Sequence, residues 1–74
     1  DAAQRAKAIV IQLETLRDGE RLNPNLRLLT RADCLAAKKA LSAASAVLPP
    51  PVLRSLESRV EAIQQWLSAR HMYV

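Results

Sequence analysis

The sequence predicts an all-α fold, a small antiparallel three-helix bundle that runs up-down-up. Three segments carry apolar residues spaced three and four apart, which places these side chains on one face of a helix. Two segments that contain turn-forming residues separate them. The apolar stripes expected to face a shared core are Ala2, Ala6, Ile9, Leu13 and Leu16; Cys34, Ala37, Leu41, Ala44 and Leu48; and Leu53, Leu56, Val60, Ile63 and Leu67.

The first helix is predicted over about residues 2–18, followed by a linker over residues 19–29. Asp1 is a favourable N-cap, and Gly19 is the residue type that commonly ends a helix in a left-handed conformation. The Asn-Pro-Asn sequence at 23–25 favours a turn. The linker also contains several leucines, which are rarely left in water together. We therefore expect it to fold back over one flank of the bundle.

The second helix is predicted over residues 31–48 and the third over residues 51–70. Thr30 and Asp33 form a weak capping box at the start of the second helix. The prolines at 49–51 end it, because each proline disfavours the α conformation in the residue before it. Small side chains allow close helix approach, so we expect the Ala-rich second helix to lie centrally. Its second small-residue stripe is Ala32, Ala36, Ala40 and Ala43.

Length and composition indicate one domain over residues 1–74 with an aliphatic core. The chain begins at Asp1 rather than Met, which suggests a segment excised from a larger protein. A single cysteine permits no internal disulfide, which fits a reducing compartment and favours an intracellular location, cytoplasmic or nuclear. No apolar run approaches the roughly 18 residues of a membrane span, so no membrane partner is expected.

Residues that carry catalysis or bind metals are sparse, and we expect a domain that is not an enzyme. Cys34 and His71 lie far apart in the sequence, so no set of metal ligands and no catalytic pair can be assembled. The single glycine excludes a Gly-rich phosphate loop, and no cofactor is predicted. Cys34 lies near Arg31 in the first turn of a helix, which could lower a thiol pKa. Its place in the apolar stripe favours a structural role instead.

Charge is uneven along the chain, whose net charge is +4. The segment 21–54 holds six basic residues and only Asp33 as an acid. This basic surface suggests an alternative function, binding of the nucleic-acid backbone, through Arg27, Arg31, Lys38, Lys39 and Arg54. A helix-turn-helix is disfavoured, because Glu57 and Glu61 on the third helix would repel phosphates.

Trp66 is the main aromatic candidate for a binding site. On a helical wheel it falls roughly 90° from the apolar stripe of the third helix, on a flank with Val52, Arg59 and Ala62. In one interpretation the linker leucines cover Trp66 in a satellite cluster. In the other it is an exposed anchor, a residue type enriched at the energetic centres of interfaces.

The sequence alone favours a function as a protein–protein interaction module. We expect it to bind a short amphipathic helix or acidic peptide in a groove between two helices. The alanines of the second helix would form the floor of that groove. The predicted partner-binding residues are Trp66, Arg59, Ala62, Val52, Lys38, Lys39 and Arg31. A further alternative is homodimerisation through an exposed apolar flank.

Overall fold

A computed structural model describes residues 1–23 and 25–72, with side chains described up to residue 69, and it confirms the three-helix bundle. The helices are α1 (Ala2–Leu22), α2 (Arg31–Ala44) and α3 (Pro50–Met72), and every pair of them is in contact. The molecule measures 39 × 19 × 17 Å, so the helices lie side by side along the long axis. The beginning of α2 lies beside the end of α3, as the antiparallel order requires.

α1 begins where the sequence predicts and ends later. The backbone N–H of Gln4 donates to Asp1 Oδ1 at 2.8 Å, which confirms the N-cap. The predicted end at residue 18 is wrong, because the helix continues through Gly19, which has no positive φ, to Leu22. A side chain at position 19 would meet Leu28 Cδ1 at 3.1 Å. The glycine therefore permits a close approach of the linker, and it does not end the helix.

α2 has the predicted capping box and ends before the predicted residue 48. Thr30 Oγ1 accepts from the Asp33 N–H at 3.3 Å, and Asp33 Oδ2 accepts from the Thr30 N–H at 3.0 Å. After Ala44 the chain turns, with the Leu48 N–H donating to Ala44 O at 2.9 Å. Because proline provides no N–H and disfavours a helical residue before it, α2 cannot extend through the prolines at 49–51.

α3 begins at Pro50, within the proline run. Proline is tolerated there because the N–H groups of a first helical turn have no partner within the helix. The predicted range of 51–70 is thus slightly shorter at both ends than the observed helix.

The core matches the predicted stripes closely in α2 and α3 and less closely in α1. All five stripe residues of the second segment are buried, as are those of the third except Leu53, which is half-buried. In α1, Ala6 and Leu13 are buried, whereas Val10, which lies outside the predicted stripe, is fully buried. The buried face of α1 is therefore rotated toward Val10, as expected for a helix that packs against two others.

Two surface expectations are largely wrong. Of the linker leucines only Leu29 is buried, while Leu22 is 88% exposed and Leu26 and Leu28 are also exposed, so the linker covers little of the bundle. The second alanine stripe of α2 is exposed except at Ala40, which is half-buried and packs against the core. α2 still contacts both neighbours, but it does so through its main apolar stripe, and α1 and α3 also contact each other directly.

Candidate functional site

A groove lies between α2 and α3, and described residues of both helices line it. Its main hollow has a volume of about 600 Å³ and adjoins a second hollow of about 360 Å³, since Lys38 and Gln64 line both. We call these two adjoining hollows the α2–α3 groove. Apolar side chains lie at its base: Leu41, Leu53 and Val60 in the main hollow and Leu67 in the second.

The two walls of the α2–α3 groove carry opposite charges. Arg31 and Lys38 project from α2, and Glu57 and Glu61 project from α3. All four residues are exposed, and none of them forms a salt bridge within the described part of the chain. A ligand that enters the groove can therefore contact these four exposed side chains without breaking a salt bridge between described residues.

An ion pair links α1 to α3 on one flank of the bundle. Arg59 Nε donates to Glu14 Oε2 at 3.0 Å, and Arg59 Nη2 donates to Glu14 Oε1, so the contact is bidentate. The Arg59 hydrogen bonds hold the pKa of Glu14 below its ordinary value, and the same contact raises the pKa of Arg59. Arg59, predicted to contact a partner, is thus already engaged inside the molecule.

Trp66 is neither fully covered nor fully exposed, so neither interpretation from the sequence describes it completely. It is half-buried and packs against the core, as does Val52 on the same flank, while Ala62 is exposed. The linker residues Leu26 and Leu28 are exposed rather than gathered in a satellite cluster.

The structure places the seven predicted partner-binding residues on more than one surface. Arg31 and Lys38 line the α2–α3 groove, whereas Val52 and Arg59 line a separate hollow of about 360 Å³ on the α1 side of α3. Lys39 is exposed and follows Lys38 by about 100° around the helix, so it lies outside the groove. The base of the groove comes from the apolar stripes rather than from the second alanine stripe of α2.

Sequence reasoning missed the anionic wall as part of a site. Glu57, Glu61, Gln64 and Ser68 recur at spacings of three and four, and this helical pattern was available in the sequence. It becomes informative only when α2, with its cations, is known to lie beside that face of α3.

Glu20 is a second feature that the sequence did not predict. Its side chain is buried, with 2% exposed, and Oε1 accepts the Leu29 N–H at 3.2 Å. A hydrogen bond to a side chain in the last turns of α1 therefore holds the end of the linker, next to the start of α2. No pattern in the sequence distinguishes it from the exposed charges nearby.

Cys34 has the structural role that its place in the apolar stripe favours. It is buried in the core, and burial, together with the nearby Asp33 carboxylate, raises the pKa of its thiol. The described residues contain no group of three or more histidine, cysteine or carboxylate side chains that could hold a metal ion. None of the helices, over its described residues, is both long and apolar enough to cross a membrane.

Comparison of the chain with protein-family models, with curated proteins and with solved structures finds no match.

Proposed function

We propose that this domain is a protein–protein interaction module that binds one amphipathic helix of a partner protein in the α2–α3 groove. The observation that carries the proposal is that two adjoining hollows follow the same pair of helices. Together they combine an apolar base with polar and charged walls, from Ser45 at one end of α2 to Arg31 at the other.

The dimensions of the groove suit a helix of moderate length. Residues 31–45 span about 21 Å at the helical rise, which corresponds to about 14 residues of a bound helix. A partner helix in this position would pack against both α2 and α3 and complete a four-helix arrangement. Leu35, at the edge of the groove and 54% exposed, would be covered by such a helix. Covering the exposed half of a leucine is worth roughly 1 kcal/mol.

The nucleic-acid alternative receives less support from the charges. Lys38, one of the basic residues that would contact phosphates, lines the same hollow as Glu57 and Glu61, and Arg31 lines the adjoining hollow. A nucleic-acid backbone placed there would meet the carboxylates as well as the cations. Because an amphipathic helix can present different side chains to the two walls, it suits this surface better.

A matched pair of variants tests the proposal. The probe is an 18-residue synthetic helix with leucine and alanine on one face and glutamine on both flanks, titrated into the labelled domain and followed by amide NMR. Ser42 is exposed and lines the groove, so Ser42→Arg should obstruct it and weaken binding about tenfold or more. Ala43, the next residue, is exposed and does not line the groove, so Ala43→Arg should leave the affinity unchanged.

The expected result is saturable binding, with amide shifts concentrated at residues 31–45 and 53–68. Shifts confined to the α1–α3 flank would contradict the proposal, as would equal affinities of the two arginine variants. So would the absence of binding at millimolar peptide. A parallel titration with a mixed-sequence single-stranded oligonucleotide examines the alternative. Binding through segment 21–54 that weakens steeply with salt, in a domain that ignores the peptide, would favour nucleic acid.

A further inference from the structure

We infer that the α2–α3 groove selects a helix with acidic residues along one flank and basic residues along the other, and that this pattern sets the direction in which the helix runs. The inference rests on the proposed function and specifies the partner. The sequence led us to expect an acidic peptide, because only the basic residues of α2 were considered. The partner inferred here carries both acidic and basic residues.

The charges on the two walls of the α2–α3 groove are separated by sign. The described charged side chains that line the groove are basic on α2 (Arg31 and Lys38) and acidic on α3 (Glu57 and Glu61). Lys38 lines the same hollow as Glu57 and Glu61, so opposite charges border one part of the groove. None of these three is neutralised by a salt bridge with another described residue.

The geometry of a bound helix converts this separation into a preference for direction. A helix whose apolar face points to the base of the groove presents one flank to α2 and the other to α3. Turning it end for end, with the apolar face still down, exchanges the two flanks. Acidic residues therefore meet Arg31 and Lys38 in only one direction. In the other direction they meet Glu57 and Glu61, which is repulsive.

Three peptides separate this inference from the proposed function. They share the apolar face of the glutamine-flanked probe and differ only in their flanks: glutamine on both, glutamate on one with lysine on the other, and glutamate on both. The glutamate/lysine peptide should bind about five- to thirtyfold more tightly than the neutral one, the size expected from a few partly exposed charge pairs. The peptide with glutamate on both flanks should gain little, because one flank faces Glu57 and Glu61.

Charge reversal in the domain gives a matched control. Lys38→Glu should weaken binding of the glutamate/lysine peptide about five- to thirtyfold and leave the neutral peptide unaffected. Lys39→Glu changes the net charge equally but outside the groove, so it should have little effect at physiological salt. Circular dichroism of both variants checks that the fold is retained.

A nitroxide on the N-terminus of the peptide reports its direction. It should broaden amides near one end of the groove, either around Ser45 or around Arg31. Exchanging the glutamate and lysine flanks in the peptide should move the broadening to the opposite end. Broadening at both ends with each peptide would overturn the directional part of the inference.

The outcomes distinguish failure of the charge preference from failure of the proposed function. If the neutral peptide binds and the flank charges change nothing, the inference fails and the proposed function stands. If none of the three peptides binds, the proposed function itself fails. Two copies of the domain related by a two-fold axis along the helices could also place Lys38 of each opposite Glu61 of the other. Sedimentation showing a dimer that the glutamate/lysine peptide dissociates would assign the groove to a second copy and overturn the inference.

Discussion

Replacing Gly19 with alanine tests how α1 ends, the point at which the structure departs most clearly from expectation. In the structure Gly19 is an interior helical residue with no positive φ. If it were instead the left-handed residue that ends a helix at 18, alanine would cost about 1 kcal/mol or more at that position. The two arrangements therefore predict effects of opposite sign on the free energy of unfolding.

The magnitude follows from two opposing contributions. Alanine is favoured over glycine inside a helix by about 0.8–1 kcal/mol. The new methyl group would lie 3.1 Å from Leu28 Cδ1, so that side chain must shift by a few tenths of an ångström. Leu28 is 41% exposed and only its terminal methyl is involved, so the shift should cost no more than about 0.5 kcal/mol. The net expectation is a stabilisation of about 0.5 kcal/mol, or about 2–4 °C in Tm.

Thermal unfolding followed by circular dichroism provides the assay, and Leu28→Ala provides the control. In the Leu28→Ala background the conflict is absent, so Gly19→Ala should gain the full helical preference of about 0.8–1 kcal/mol. The reasoning would be refuted if Gly19→Ala lowered Tm by the same amount in both backgrounds. That result would mean that residue 19 adopts a left-handed conformation whatever lies next to it.

Three further predictions concern buried or paired polar groups. Glu14→Gln should cost about 0.5–1 kcal/mol at neutral pH because it breaks the bidentate pair with the arginine of α3, whereas Asp18→Asn, at an exposed pair within α1, should cost almost nothing. Since pairing lowers the folded-state pKa of Glu14, this difference should be present above the ordinary carboxyl pKa and disappear as pH falls through the lowered value. Glu20→Ala should cost about 1–3 kcal/mol and speed hydrogen exchange at the Leu29 amide, which loses its buried acceptor. Cys34 should react with a thiol reagent only as fast as the domain opens, because its thiol is buried and its pKa raised.

Each of these predictions has a result that contradicts it. Equal losses for the Glu14 and Asp18 variants would mean that the pair across α1 and α3 is no stronger than a surface contact. A Leu29 amide that exchanges at the same rate with and without Glu20 would remove the role of that carboxylate. Labelling of Cys34 at the rate of a free thiol under native conditions would show that the start of α2 is not packed as described.

Local sequence predicted the features that depend on short-range physics. The capping box at Thr30 and Asp33 requires only residues three apart, and the break before α3 follows from the missing N–H and fixed φ of the prolines. The buried stripes of α2 and α3 are equally local, because a 3.6-residue period decides which side chains share a face. For these elements the sequence already contained all the relevant interactions.

The candidate site could not be predicted from local sequence, because it depends on which helix faces lie side by side. The sequence showed cations at Arg31 and Lys38 and carboxylates at Glu57 and Glu61, but nothing in the spacing of either pair indicated that they line one groove. The same holds for Arg59. A helical wheel places it on the flank with Trp66, yet its engagement by Glu14 depends on the rotation of α1 against α3.

The sequence by itself determined that the chain forms three helices with one buried stripe each, since helix propensity, capping and apolar periodicity act within a few residues. Only the tertiary structure showed why residue 19 is a glycine inside α1, since Leu28 approaches it, and that Glu20 holds Leu29 through a contact across the linker. It also decided that basic and acidic flanks form the two walls of one groove. Helix–helix packing joins residues far apart in the chain, and the rotation of each helix against its neighbours is set by the whole core.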